Sequence, residues 1–319
     1  MEMSKPPALQ TGDKIGIVTP SMHIINEQAV ENGIATLQEL GFRVETGSTI
    51  YSKYRNSSAV AEDRASEIMK FFTDPETKAI VCLIGGDTAA QLLKLLDYET
   101  IKENPKIFSG MSDIGHLNLA LLSQASLVTI YGPDLTFGFG AFGADTNNPV
   151  TKYNVDLFLK CCTQPEPPGK LPAFTQWECW RPGKAKGRLI GGYLGAITSL
   201  YRTRYWPSIE NSILYWEAFE TQPHEIERQF TILEADGIFE KVTGMLVGKL
   251  TGCEEKDYEG MLPDIKELIL EITKEYGFPI IGNADFGHAG TFMPMPEGIS
   301  AEIDAESLTI ELIEPVVNI

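Results

Sequence analysis

Short apolar runs that close in Gly, Pro or Ser turns alternate with helix-period segments through the first half of the chain, and few folds accept that rhythm. Ile15-Gly16-Ile17-Val18 ends at Thr19-Pro20-Ser21, and a helical period over 26–40 stops at Gly41. The run 42–45 alternates, and 59–72 reads as a helix with Asp63, Arg64 and Glu67 on its wet side. An apolar strand over 79–84 runs into Gly85-Gly86-Asp87-Thr88 and a helix over 89–96. Another strand begins at Lys106-Ile107-Phe108, and a further one at 127–130 ends in Tyr131-Gly132-Pro133. Strands that alternate with helices need crossover connections. The N-terminal part is therefore expected to be an α/β, doubly wound, mainly parallel sheet domain over 1–160.

Within that pattern the stretch 104–122, NPKIFSGMSDIGHLNLALL, places Ser112 in a Gly-x-Ser turn between a strand and a largely apolar helix. Such a turn raises a hydroxyl above a sheet with helix-start N–H groups beside it. The second glycine of the α/β-hydrolase elbow is replaced by Ile114, so the match is to the geometry alone. Ser112 or Asp113 as a simple N-cap is the competing reading.

Charge and cysteines exclude several classes. A formal net charge of −18 disfavours nucleic acid and anionic membrane surfaces as partners, because both need clustered Lys and Arg. The N-terminal stretch has no apolar signal-like segment, and no run reaches membrane-spanning length, so a cytoplasmic location is expected. Five cysteines without framework spacing read as reduced thiols. Four histidines and no HExxH or CxxC pair lead to the expectation of no metal and no cofactor.

From 147 to 186 the alternation breaks. Pro165, Pro167, Pro168, Pro172 and Pro182 mark 161–186 as a linker carrying a loop with Trp177 and Trp180. A C-terminal mixed α/β domain over 187–319 follows. Its strands are expected at 188–190, 213–216 ending in Glu217, 244–248 and 279–281, with helices to about 200 and over 224–235 and 264–276. The run after 281 leads to His288, and 298–312 reads as a hairpin.

Ser112, Glu217 and His288 thus all fall at or just past strand ends, where an α/β sheet carries its active site. A serine nucleophile needs a base in hydrogen-bond reach, and the base needs an acceptor that fixes its tautomer. A solvated strand end and a backbone-bonded turn histidine are the plain alternatives. Gly85-Gly86-Asp87 can hold an anion on exposed N–H groups, either a nucleotide phosphate or an oxyanion. The phosphate reading lacks the second glycine of a GGDGT turn and any Walker lysine.

The blocks IGGDTAAQLLKLLDYETIKENPKIFSGMSDIGHLNLAL, GRLIGGYLGAITSLYRTRYWP, ILYWEAFE, GMLVGKL and GNADFGHAGTFMPMPEGISAEID together resemble the LD-carboxypeptidase family, in order and over nearly the whole chain. That family includes muramoyl-tetrapeptide carboxypeptidases and microcin C self-immunity proteins. The resemblance implies a two-domain, usually dimeric serine hydrolase without cofactor. Ser112 would be its nucleophile, Glu217 its acid and His288 its base, with oxyanion donors on the backbone N–H of Gly86 and Asp113.

The chain departs from the family pattern at Met111, at Asp87-Thr88-Ala89, at Gly115-His116 and around Glu217, with Trp216 and Ala218. These departures bear on the substrate. Met111, Asp87, His116 and Trp177 are the candidate substrate contacts, and His116 is also a local rival to His288 because it lies one helical turn past Ser112. His23 and His224 are expected to be dispensable. The substrate is expected to be a small peptide with an amide next to a free carboxylate, or an aminoacyl nucleotide whose base an aromatic loop could cover. Trp177 as that lid places the chain nearer the microcin-immunity branch, and Trp177 as a packed hinge cover is the alternative. The basic group Arg181, Lys184, Lys186 and Arg188 is a candidate anion contact. A non-catalytic binding protein on the same fold is the rival class.

Overall fold

A computed structural model describes residues 3–141, 143, 145, 147–254 and 264–319. The first sheet is built from β1 (Lys14–Val18), β2 (Arg43–Thr46), β3 (Thr77–Cys82), β4 (Ile107–Gly110) and β5 (Ile130–Tyr131), all parallel in the order β5-β4-β3-β1-β2. The helices α1 (Glu27–Glu39), α2 (Ala61–Thr73), α3 (Tyr98–Glu103) and α4 (Gly115–Ala125) lie between the strands in sequence. Asn26 caps α1 by accepting the Ala29 N–H, which gives that helix a defined start. The expected helix over 89–96 is only a 3-10 turn, Ala89–Leu92. Arg64 and Glu67, expected on the wet face of α2, are buried. Arg64 donates to Pro20 O, Ala59 O and Thr88 Oγ1, while Glu67 accepts from Thr49 N–H and its hydroxyl. These hydrogen bonds offset part of the cost of burying the two charges.

The segment 147–186 is more regular than a linker. The helix α5 (Pro149–Thr163) starts at Asn148, whose side chain accepts the Val150 and Thr151 N–H groups, with Pro149 in the first turn. It packs through Phe158 on Phe139, edge to face at 5.2 Å. Beyond it, β6 (Gly169–Lys170) and β7 (Glu178–Arg181) occupy the two edges of the second sheet. Prolines mark sheet edges as well as linkers, and here they flank edge strands.

The second sheet continues with β8 (Lys184–Tyr193), β9 (Ser212–Phe219), β10 (Val242–Thr251) and β11 (Ile280–Gly282), all parallel, separated by α6 (Leu194–Leu200), α7 (Pro223–Ala235) and α8 (Ile265–Ile272). A short strand β12 (Met295–Pro296) crosses back to the edge of the first sheet beside β5, and the hairpin β13 (Ser300–Asp304) and β14 (Thr309–Leu312) completes the second in the order β6-β14-β13-β8-β9-β10-β11-β7. The chain is therefore a two-unit α/β fold with a mixed second sheet. The helix α4 packs on the first sheet and on α6 and β8 of the second. That double burial explains why its sequence is apolar on nearly every side. Among the described residues no helix is long and apolar enough to cross a membrane.

Candidate active site

The carboxyl ends of the parallel strands in both sheets converge on one cleft. Ser112 follows β4 with φ +61°, a left-handed conformation that a residue with a Cβ adopts only where its surroundings hold it. Gly85, after β3, makes room for it: a Cβ there would stand 2.7 Å from the Ser112 Cβ. The Ser112 hydroxyl lies 3.0 Å from His288 Nε2, and His288 Nδ1 lies 2.8 Å from Glu217 Oε2. Glu217 is fully buried within β9, two residues before its end, and His288 comes from the turn after β11. Three residues separated by up to 176 positions thus form one hydrogen-bonded line.

Tyr131, at the end of β5, closes that line into a ring. Its hydroxyl donates to Glu217 Oε1 at 2.6 Å and accepts the Ser112 N–H at 2.9 Å. Burial, reinforced by the Glu217 charge, pushes the phenol well above its ordinary range, so it stays a donor. A Cβ at Gly192, where φ is +118°, would press to 3.0 Å on the Tyr131 ring, so the glycine lets the two sheets approach. Tyr131 ends a strand just before Gly132-Pro133, the same post-strand position that singled out the other residues, and that signal could have found it.

Gly86 lines the cleft beside Ser112. The Asp113 side chain points away from the cleft: its carboxylate accepts from the Ser21 hydroxyl at 2.5 Å and from the Ala89 N–H at 2.8 Å. Ser21 in turn accepts the Thr88 N–H at 3.0 Å. The serine turn and the Gly85–Ala89 loop are therefore tied together from behind. Burial alone would raise the Asp113 carboxyl, but hydrogen bonds from His116, Ser21 and Ala89 outweigh it and hold it below the ordinary range.

His116 does not reach the Ser112 hydroxyl. It is buried, with Nδ1 2.8 Å from Asp113 O and Nε2 2.8 Å from Ser199 Oγ on α6. Although burial works to lower it, its bonds to Asp113 raise its proton affinity. It lies behind the serine turn, bridging the two units, because Ser112, at φ +61°, stands outside the helical geometry that would set residues i and i+4 on one face.

Trp177 is not a lid. It is 3% exposed, and its Nε1 donates to Asp285 Oδ2 at 2.7 Å. Asp285 also accepts the Phe174 and Thr175 N–H groups and the Thr175 hydroxyl, and Lys249 Nζ approaches it to 3.4 Å. Those donors outweigh the burial that would raise the carboxyl and hold it low. The loop is packed onto the turn that leads to His288. The basic group also lies elsewhere: Arg181 bonds Thr273 and Phe278 O, Lys184 pairs with Asp304, Lys186 with Glu302, and Arg188 bonds Gly298 O. None of the four lines the cleft, because all but Arg181 sit on the amino-terminal half of β8, remote from its carboxyl end.

Met111 and Asp87 do line the cleft, whose cavity measures about 530 Å³. Asp134 also faces it, fully buried and accepting the Phe137 and Gly138 N–H groups at 2.7 and 3.1 Å. Burial pushes its carboxyl up to about 7. Phe219 stacks on the His288 ring at 4.6 Å. No cluster of three metal-ligating side chains occurs among the described residues.

A hydroxyl, an imidazole and a carboxylate in line at the carboxyl ends of parallel strands are the parts a serine hydrolase uses. Residues 15–132 match the LD-carboxypeptidase N-terminal domain and residues 186–303 the LD-carboxypeptidase C-terminal domain, so the chain belongs to the LD-carboxypeptidase family, a family of serine carboxypeptidases. It is 31% identical over 325 residues to a Bacillus subtilis protein named as a carboxypeptidase, covering 94% of this chain and 96% of that one. It is 28% identical over 335 residues to the microcin C7 self-immunity protein MccF of Escherichia coli, covering 96% and 94%. The solved structure of MccF in complex with aspartyl sulfamoyl adenosine superposes with a TM-score of 0.87 at 25% identity, over 99% of this chain and 100% of that one.

Proposed function

We propose that this chain is a serine carboxypeptidase in which Ser112 is the nucleophile, His288 the general base and Glu217 the acid that fixes the imidazole. The observation that carries this reading is the continuous line from the Ser112 hydroxyl through His288 to Glu217, at 3.0 and 2.8 Å. Ser112 Oγ attacks the scissile carbonyl while His288 Nε2 takes its proton, and the N–H groups of Gly86 and Asp113 receive the oxyanion. His288 then delivers the proton to the departing nitrogen. A water, deprotonated by His288, releases the acyl group and regenerates the serine. Glu217 stays ionised throughout and stabilises the imidazolium. No step needs a metal or a cofactor.

The substrate in this reading is a small amide, either an aminoacyl-nucleotide link or a peptide with a terminal carboxylate. MccF, crystallised with aspartyl sulfamoyl adenosine, supports the first. Trp177 lends it no support, because that ring is buried. The enzyme is proposed to act as a homodimer, on the family resemblance, and in the cytoplasm, where its five free cysteines would stay reduced. The test is labelling with a fluorophosphonate followed by a hydrolysis panel of aspartyl sulfamoyl adenosine and a muropeptide tetrapeptide. Label on Ser112 and turnover of either compound are expected. A folded sample that neither labels nor turns over any compound belongs to the binding-protein class instead.

A further inference from the structure

Ser21 stands where the loops of three neighbouring strands meet. It follows β1, which lies beside β3 in the first sheet, and β3 lies beside β4. The residue is fully buried and does not line the cleft. Its hydroxyl donates to Asp113 Oδ2 at 2.5 Å, on the turn after β4. It also accepts the Thr88 N–H at 3.0 Å, on the loop after β3. Gly86 of that same loop rests against it: a Cβ there would stand 2.6 Å from Ser21 Oγ and 2.7 Å from Met22 Cβ.

The two residues held in this way, Gly86 and Asp113, carry the N–H groups that receive the oxyanion in the proposed reaction. Among the described residues neither N–H meets an acceptor within the protein. They belong to different loops, so nothing in either loop alone sets the distance between them. Such donors act only where both reach one oxygen, at about 2.7–3.1 Å. A displacement of about 1 Å can cost on the order of 100-fold in rate.

Two ties join the loops. The Ala89 N–H donates directly to Asp113 Oδ2 at 2.8 Å. A single tie is a pivot, and the Ser21 hydroxyl, bonded to both loops, supplies the second. Neighbouring contacts hold Ser21 itself in place. The Met22 N–H donates to Gly85 O at 3.1 Å. The buried Arg64 donates to Pro20 O and to Thr88 Oγ1, clamping the residue before Ser21 to its partner.

Resting on the serine hydrolase reading, we propose that Ser21 is a positioning residue for the oxyanion site. Its hydroxyl sets the Gly86 and Asp113 N–H groups relative to each other without touching the substrate. Removing it lets the Gly85–Ala89 loop turn about the Ala89–Asp113 bond, so that the two donors no longer meet on one oxygen. The loss falls on the transition state, where the oxygen carries its charge, and leaves ground-state binding in place.

The experiment follows Ser112 labelling by an aryl fluorophosphonate, whose phosphoryl oxygen enters the oxyanion site, in the intact protein. It reads a maximal rate and a half-saturating concentration. In Ser21→Ala the maximal rate is expected to fall roughly 10- to 100-fold, with the half-saturating concentration within about twofold of the parent. Ser21→Cys keeps most of the volume but offers only a weak S–H donor. It is expected to resemble Ser21→Ala, and it carries the test if the alanine variant does not fold. A purely structural serine would lower the melting temperature and leave the maximal rate of the folded variants at the parent value. That result, or a loss confined to the half-saturating concentration, overturns the positioning proposal while leaving the nucleophile intact. No label on the folded parent protein removes the hydrolase reading itself, so the two failures are distinct.

Discussion

The Tyr131 hydroxyl stands between Glu217 Oε1, 2.6 Å away, and the backbone nitrogen of Ser112, 2.9 Å away. One phenol thereby orients the Glu217 carboxylate behind His288 and anchors the strained turn that carries Ser112. Tyr131→Phe keeps the ring and removes both bonds. It leaves a buried N–H and a buried carboxylate oxygen unsatisfied, about 1–3 kcal/mol each where the group stays dry. A fall in kcat/KM of roughly 10- to 100-fold is expected. A purely structural tyrosine would alter thermal stability and leave kcat/KM near the parent value.

Ser112→Ala and His288→Ala are each expected to remove most turnover and to leave the fold intact. Residues that act as one unit lose nearly as much singly as together, leaving roughly 10³–10⁴ over water from binding and the oxyanion donors. The double variant should therefore be about as slow as either single one in steady-state assays. Near-normal turnover of folded Ser112→Ala would end the assignment.

His116→Ala is a stability variant. His116 ties Asp113 on the first unit to Ser199 on the second, at 2.8 Å to each partner. Its loss removes that tie, while Asp113 keeps Ser21 and Ala89 and the exposed Ser199 keeps Ala196 O, so a decrease of about 0.5–1.5 kcal/mol in denaturant unfolding is expected. Turnover should fall far less than in His288→Ala. Equal loss in the two variants would return His116 to the list of catalytic candidates.

The first sheet was legible because each of its strands ends in a Gly, Pro or Ser turn and each helix has its own period. Ser112 and His288 were legible as post-strand residues and Glu217 as a strand-end residue, although β9 runs two residues past it, and the family resemblance implied their roles. Tyr131 was not singled out, because an aromatic residue in an apolar strand looks like core until its hydroxyl has a partner. The helix α5 was hidden by the prolines after it, although Asn148-Pro149 is an ordinary helix start. Arg64 and Glu67 looked solvated because charge normally means surface, and only their loop partners, remote in sequence, explain their burial. Trp177 misled for the opposite reason. A tryptophan among polar loop residues resembles a lid, and the carboxylate that draws it inward lies 108 positions away.

Glu297 offers a test through pH. It is buried, accepts from the Tyr215 hydroxyl and the Gly191 N–H, and burial pushes its carboxyl up to about 8. The folded state then keeps a proton that the unfolded state sheds near pH 4.5. The contribution of this group is present in full below that pH and is lost as pH rises toward about 8. Glu297→Gln removes the titration and keeps an acceptor for Tyr215. The variant is expected to gain stability relative to the parent between pH 5 and pH 8, read as denaturation midpoints at the two values. A constant difference between the two proteins across that range would mean that Glu297 titrates at its ordinary value.

Trp177→Ala separates a packed residue from a substrate contact. The ring is buried, and its N–H is one of four donors converging on Asp285, beside the turn that leads to His288. Truncation opens a cavity and removes a donor from a buried carboxylate, so a loss of about 3–5 kcal/mol in unfolding free energy is expected. Trp177→Phe fills most of the space but lacks the donor, and should lose less. If the ring acts only through packing, kcat should fall in both variants in step with looseness of the histidine turn. KM for an aminoacyl sulfamoyl adenosine should change little when measured well below the melting temperature. A tenfold rise in KM with unchanged stability would instead mean that the loop opens in solution and that Trp177 meets the substrate after all.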